Sequence, residues 1–385
     1  MDNALSIEQQ GKGKIKILFF KWKCSNRAGT ERILSVMAGA LAKHYAVTVV
    51  TAWNQGLPDS FPFPATVTRH DLGIDRKRYH MRALANREAV RRLARYIDTH
   101  PQDIVVTLDG ALAQIPKFKD ASKKVFWYHF CLNSERIEAR NPDLGIFSKM
   151  ARRYKWHRKI RLARHFDRLI VLTKKDCELW QKYCNNVTYI HNTVTLKPQR
   201  QAHYQAKRVI AVGRLVYQKG FDRLIDAWKR VAERFPDWQL DIYGQGKLAG
   251  KLNSMIASQG LQNCVHLHND TSEIASALVE HSIAVMSSNY EGMPLVLLEE
   301  AACGLPLVSL DCECGPSEIV DDGRNGFLVA QEAGAQGIAQ ALMKLMADDA
   351  LRQAMGKNAA QSVERFSQER IVSRWSAVIH QIMHS

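Results

Sequence analysis

The chain has 385 residues, 46% of them hydrophobic, and a formal net charge of +16. That length accommodates two domains with proper cores, and the absence of any run of about 18 apolar residues excludes a spanning helix. Residues 1–14 are polar and lack the apolar region of a secretory leader. The eight cysteines are scattered, with Cys312 and Cys314 too close together for the usual zinc spacing, so a reduced cytoplasmic compartment is expected.

In chain order, strand-like runs over 15–20 and 46–51 flank an expected helix at about 30–44. A helix is expected over 78–99, then short buried strands over 104–108, 125–128 and 169–172. Helical patterns fall at 149–166 and 173–183, and a strand at 187–190. The polar stretch 196–207 reads as a linker. A second series follows, with strands at 209–212, 239–243, 264–267, 282–286 and 307–310. Helices are expected between them near 219–235, 248–259 and 272–281, then at 335–346, 350–365 and 368–383. Alternating strands and helices predict parallel α/β sheets. The expected architecture is two Rossmann-like domains, 1–195 and 196–366, with a last helix at 367–385. Ligands are expected in the cleft at the carboxyl ends of the strands.

Charge is uneven. Residues 1–195 carry 35 Lys and Arg against 17 Asp and Glu, and the remainder 19 against 21. The first half is therefore a basic surface that suits an anionic membrane or a nucleic acid. The run from Lys149 to Arg168 holds nine Lys and Arg and one acid. As a helix, its Arg152, Arg153, Lys155, Trp156 and Arg158 make a cationic, aromatic membrane or acceptor surface. No nucleic-acid motif accompanies it.

The chemistry concentrates in Glu291-Gly292-Met293-Pro294-Leu295-Val296-Leu297-Leu298-Glu299. Pro294 suits the first helical position, which places Glu291 in the preceding loop and Glu299 inside the helix. The helix start around Leu295 and Val296 exposes unpaired N–H groups, an anion site. A carboxylate on each side of a phosphate cradle fits a sugar nucleotide. Upstream, a strand runs into Gly213-Arg214 and then Lys219. Arg214 can fork onto phosphate oxygens and Lys219 adds a point charge, stabilising a departing diphosphate. Glu299 can accept two ribose hydroxyls, leaving Glu291 for the hexose. Gly244 and Gly246 would let backbone approach the nucleotide. No Asp-x-Asp occurs to hold a metal–diphosphate complex, so no metal is expected.

These motifs resemble the retaining glycosyltransferases of family 4, which have the GT-B fold. The resemblance is specific from about Val209 to Val329 and weaker from Ile15 to Asn192. It implies an α/β fold of two Rossmann-like domains facing across a cleft, with the last helix crossing back to the first domain. It implies the same roles for Glu291 and Glu299, a nucleobase near His268, a hexose contact from His129, and retention of anomeric configuration. Relatives carry two glycines after the first strand, where this chain has Ala28-Gly29; Gly29 is expected near the donor. Asn192 matches a structural position before the linker. Asp311-Cys312-Glu313-Cys314-Gly315-Pro316-Ser317-Glu318 resembles a subgroup that builds bacterial lipopolysaccharide and lipid-linked glycans. The expected partners are a UDP-sugar donor, a glycolipid acceptor and the anionic inner face of the cytoplasmic membrane, with no nucleic acid and no cofactor. The alternatives are a nucleic-acid-binding protein and a GT-B sugar-nucleotide epimerase.

Overall fold

The computed structural model describes residues 13–54, 56–75, 82–108, 115–271 and 273–384. The polar start of the chain, residues 1–12, lies outside them, as do 78–81 and 272, where two expected helices begin.

The first unit runs β1 (Lys16–Lys21), α1 (Gly29–Leu41), β2 (Ala46–Thr51), β3 (Thr68–Asp71), α2 (Arg82–Thr99), β4 (Ile104–Thr107), β5 (Lys123–Trp127), α3 (Ser134–Glu138), α4 (Ile146–Ala163), β6 (Arg168–Val171), α5 (Lys174–Gln181) and β7 (Val187–Tyr189). Its seven strands are parallel, in the order β3-β2-β1-β4-β5-β6-β7. A parallel sheet is covered on both faces, so its central strands read as continuous apolar runs. In β1, Phe19 packs into one layer and Leu18 and Phe20 into the other, all fully buried.

The second unit runs β8 (Arg208–Val212), α6 (Phe221–Arg234), β9 (Gln239–Tyr243), α7 (Ala249–Ser258), β10 (Val265–His268), α8 (Ile274–Val279), β11 (Ile283–Met286), α9 (Leu295–Ala302), β12 (Leu307–Asp311), α10 (Pro316–Ile319), β13 (Gly326–Ala330), α11 (Gly334–Ala347) and α12 (Asp349–Ser362). Six parallel strands are ordered β10-β9-β8-β11-β12-β13.

Two edge strands have no counterpart among the expected elements. β3 is Thr-Arg-His-Asp, mostly exposed, and is formed by its register with β2 rather than by an apolar pattern. β13 opens on Gly326, where a Cβ would lie 2.0 Å from the Leu307 oxygen, so only glycine allows the pairing.

The chain crosses between the units twice, and the crossings are tied together. Val194 N–H and the Thr193 hydroxyl both donate to the Phe366 carbonyl, at 3.0 Å each. The last helix, α13 (Gln368–Met383), returns to the first unit. There Trp375 packs edge-on against Trp127, centroids 5.0 Å apart, and against Phe19 at 6.1 Å. Truncating such a buried Trp costs about 3–5 kcal/mol, so this contact anchors the two units to each other.

Candidate active site

The carboxyl edges of the two sheets face each other and touch. A Cβ on Gly292 would lie 2.2 Å from the His129 carbonyl oxygen, so backbone meets backbone there. Gly29, at the start of α1, sits under Leu295 at the start of α9: a Cβ would lie 3.1 Å from Leu295 Cδ1. Asn192 donates its side-chain amide to the Met293 carbonyl at 3.0 Å. The segment from Glu291 to Leu295 is thereby fixed against three elements of the first unit.

Glu291 is buried and held from its own unit. Lys219 Nζ lies 2.7 Å from Oε1, the Ser288 hydroxyl donates to Oε1 at 2.8 Å, and Gln218 Nε2 approaches Oε2 at 3.4 Å. The Lys219 stem lies across Gly213, where a Cβ would stand 2.9 Å from Lys219 Cε. Gly220 follows with φ 59°, a left-handed turn in which a Cβ would strike the Ser287 oxygen at 2.4 Å. Arg214 is exposed and Gln218 Oε1 accepts from its Nη2 at 3.3 Å. The sequence brought Arg214, Lys219 and Glu291 to notice; Gln218 and Ser288 carry no motif and emerge only from the geometry.

Pro294 is the residue before α9 rather than its first, with extended φ −71° and ψ 112°. Leu295 and Val296 begin the helix and stay partly exposed. Their N–H groups are among those that find no partner within the helix, and they face the same cleft as Arg214 and Lys219. Glu299, one turn in, is held quite differently from Glu291. Its Oε1 accepts from Arg32 of α1 in an ion pair and from the Thr195 hydroxyl at 2.8 Å. The neighbouring Glu300 is fully buried, and burial pushes its carboxyl well above the ordinary range, against the Lys219 charge. Burial thus disfavours its charged form.

At the far edge, His268 ends β10 and stacks on Tyr243, centroids 4.5 Å apart. Its Nε2 lies 2.6 Å from Asp241 Oδ1, and Asp241 also accepts from His281 and Arg208. Burial alone would raise the Asp241 carboxyl; the bonds from His281 and His268 and the Arg208 charge outweigh it and hold it well below the usual range. A charged residue between Leu240 and Ile242 in a buried strand was the signal that the sequence reading passed over.

Two expectations are corrected, at Trp156 and Arg152. Gly244 and Gly246 pack tightly against the loop after β8: their Cβ atoms would lie 1.9 Å from the Gly213 oxygen and 2.3 Å from the Leu215 oxygen. Trp156 is buried on the inner face of α4 and donates Nε1 to Asn133 at 3.1 Å, so it is no part of a surface. Arg152 is half-buried and pairs with Glu138 at 3.3 Å. Arg153, Lys155 and Arg158 are exposed. The outer face of α4 also carries Ile146, Phe147, Met150 and Tyr154, between 61% and 84% exposed. Their spacing, i, i+1, i+4 and i+8, puts them on one side. His129 follows β5, and its Nε2 has no partner among the described residues. Burial, with Lys21 nearby, pushes its imidazole down to about 3, so the ring is neutral at physiological pH.

Residues 195–362 match the family Glycosyl transferases group 1. Those residues span most of the second unit, which is similar to a group 1 glycosyltransferase domain. Over the whole chain, an uncharacterized glycosyltransferase of Haemophilus influenzae is 25% identical across 94% of this chain and 99% of its own length. The amylovoran biosynthesis glycosyltransferase AmsD of Erwinia amylovora is 26% identical across 95% and 99%. Among solved structures, Anabaena HepE in complex with UDP and glucose superposes with a TM-score of 0.75, at 18% identity, covering 95% of this chain and 99% of that one. The fold is GT-B. The cradle of Arg214, Lys219 and the start of α9, with both glutamates, lies inside the residues that match that family. Among the described residues, no helix is long and apolar enough to cross a membrane.

Proposed function

We propose that this protein transfers a hexose or N-acetylhexosamine from a UDP-sugar to a membrane-associated glycan acceptor, a lipopolysaccharide or lipid-linked oligosaccharide, with retention and without a metal. The observation that carries the reading is the order of groups along one sheet edge. His268 ends β10, Arg214 and Lys219 follow β8, Glu291 follows β11, and Glu299 stands one turn into α9. A nucleobase, a diphosphate and a hexose fit the order of the strand ends β10, β8 and β11, and Glu299, set back in α9, is left for the ribose. HepE, a structural neighbour solved with UDP and glucose, supports a UDP-sugar donor by analogy.

In the reaction the bond between the anomeric carbon and the diphosphate oxygen breaks, and the pair of electrons goes to the departing phosphate. Arg214, Lys219 and the α9 N–H groups stabilise that charge as it forms. The acceptor hydroxyl bonds to the same carbon from the same face, and its proton passes to the departing phosphate. Glu291 orients the hexose hydroxyls, and neutral His129 hydrogen-bonds them. Glu299 holds the ribose.

Membrane contact rests on α4. Its apolar outer face flanked by Arg153, Lys155 and Arg158 suits insertion at an anionic surface. Each such cation contributes roughly 1 kcal/mol. The protein then works at the inner face of the cytoplasmic membrane. Phe147→Glu with Arg153→Glu and Arg158→Glu is expected to abolish co-sedimentation with anionic vesicles; unchanged pelleting removes the membrane reading.

The deciding experiment incubates the protein with UDP- and GDP-sugars in EDTA, without acceptor, and follows slow donor hydrolysis. One UDP-hexose or UDP-N-acetylhexosamine should be consumed, and NMR should show the retained anomer. Stabilisation by oligonucleotide but not by UDP would overturn the reading, and conversion of the donor to its epimer would make the protein an epimerase.

A further inference from the structure

Beyond Glu291, on the side away from His268, lies a cavity of about 550 Å³ between the two units. Tyr217 and Asn289 form the wall nearest the reaction centre. They are joined to each other by a 2.6 Å bond from the Asn289 amide to the Tyr217 carbonyl. Gln218, next in the chain, is the residue that reaches Glu291. The opposite wall comes from the ends of β12 and β13, through Asp311, Glu313 and Gln331. The roof is α3, which brings Arg136, with Arg140 just after it.

The lining is polar and unsatisfied. Four of its residues hold buried polar atoms without a partner among the described residues: Arg223 Nη1, Asp311 Oδ1, Glu313 Oε2 and Gln331 Oε1. A buried polar atom left unpaired is destabilising, so four around one cavity point to a polar occupant. Three of the lining residues are arginines. Arg223 spends only Nη2, on Asn289 at 2.8 Å. Arg136 lies over the Trp156 ring at 5.1 Å, and neither it nor Arg140 forms an ion pair with a described residue.

We propose that this cavity receives the acceptor, and that the acceptor is a sugar bearing a phosphate. The inference rests on the donor reading above and names the class of its second substrate. The sheet order carries the placement. Base, diphosphate and hexose occupy the ends of β10, β8 and β11, and the next strand ends, β12 and β13, border the cavity. An acceptor must stand beyond the hexose, and this is the space beyond it. The charges carry the chemistry. Guanidinium groups fork onto phosphate oxygens, and the arginines outnumber the two carboxylates. Asp311, Glu313 and Gln331 accept from sugar hydroxyls.

The test titrates UDP-saturated protein with glucose 1-phosphate, with glucose, and with a phytanyl-diphosphate-linked N-acetylglucosamine in detergent. Both phosphate-bearing probes should bind, and glucose at least tenfold more weakly. Arg140→Ala and Arg223→Ala should each weaken both by tenfold or more, with UDP affinity and melting temperature measured on the same proteins to confirm folding. Tighter binding of the lipid-linked probe by tenfold assigns the phosphate to a lipid carrier; equal binding assigns a free sugar phosphate. Glucose binding as well as glucose 1-phosphate, or arginine variants that bind it unchanged, would overturn the proposal. If UDP itself does not bind, the donor reading fails. The glucose 1-phosphate titration without UDP, on wild type and variants, then still decides the cavity.

Discussion

Glu291 and Glu299 stand eight residues apart on one helix start, yet their surroundings have different origins. Glu291 is held by Lys219, Ser288 and Gln218, all from the second unit. Glu299 is held by Arg32 from the first unit and by Thr195 from the crossing segment. The first environment is built into one domain and survives any movement between the two. The second exists only while the cleft has this width. The Glu291 contact proposed for the hexose is thus preorganised, whereas the Glu299 contact proposed for the ribose reports the relation between domains.

The sharpest way to break this contrast is to remove the Glu291 partner. Lys219→Ala should lower kcat on the order of 10²-fold or more, as loss of one preorganised charge does. It also strands a buried carboxylate, a loss typically of about 3–5 kcal/mol. A lowered melting temperature should accompany the kinetic loss, and Lys219→Ala with Glu291→Gln should recover the stability but not the rate. Arg214→Ala, exposed, should lose rate by a similar factor with no change in melting temperature. An effect of either single variant confined to KM would mean ground-state binding only.

A second measurement separates the two glutamates. Glu299→Ala should weaken binding of free UDP by tenfold or more in calorimetry, while Glu291→Ala leaves it intact. Arg32→Ala should do the reverse of Glu299→Ala. Arg32 and Thr195 share one carboxylate oxygen, and a ribose needs both oxygens of the group for two hydroxyls. Arg32 is partly exposed, so the pair is worth at most about 1 kcal/mol, and UDP should bind up to about fivefold tighter. Equal weakening by Arg32→Ala and Glu299→Ala would show instead that Arg32 touches the nucleotide.

The smallest effect concerns His129. Its imidazole is pushed down to about 3 from 6.5, so between those values the unfolded chain binds a proton that the folded chain does not. Stability therefore rises with pH across that window and is lost as pH falls from 6.5 toward 3. His129→Gln should lose less stability than wild type between pH 7 and pH 5 in denaturant melts. Identical pH dependence would mean the ring titrates normally and is open to water.

Most strands of both sheets were legible because parallel sheets need runs of apolar residues, and β1, β8 and β11 have them. β3 and β13 were not, since an edge strand formed by pairing needs no apolar run of its own. The loop signatures around Gly213 and Glu291 were legible because glycine, proline and charge recur at spacings that a helix start imposes. Gln218, Ser288, Arg32 and Thr195 carry no such spacing.

By itself the sequence determined the alternation that makes two parallel sheets, the cationic loop after β8, and the pair of carboxylates around a helix start. These are local properties, written in neighbouring residues. Only the tertiary structure decided that Lys219 lies on Glu291, that Glu299 answers to the other domain, and that Trp156 faces inward while Phe147 faces out. It also decided that three arginines from two domains converge on one cavity. The Lys219–Glu291 and Arg32–Glu299 contacts join residues 72 and 267 positions apart, and no local pattern encodes which distant side chain arrives.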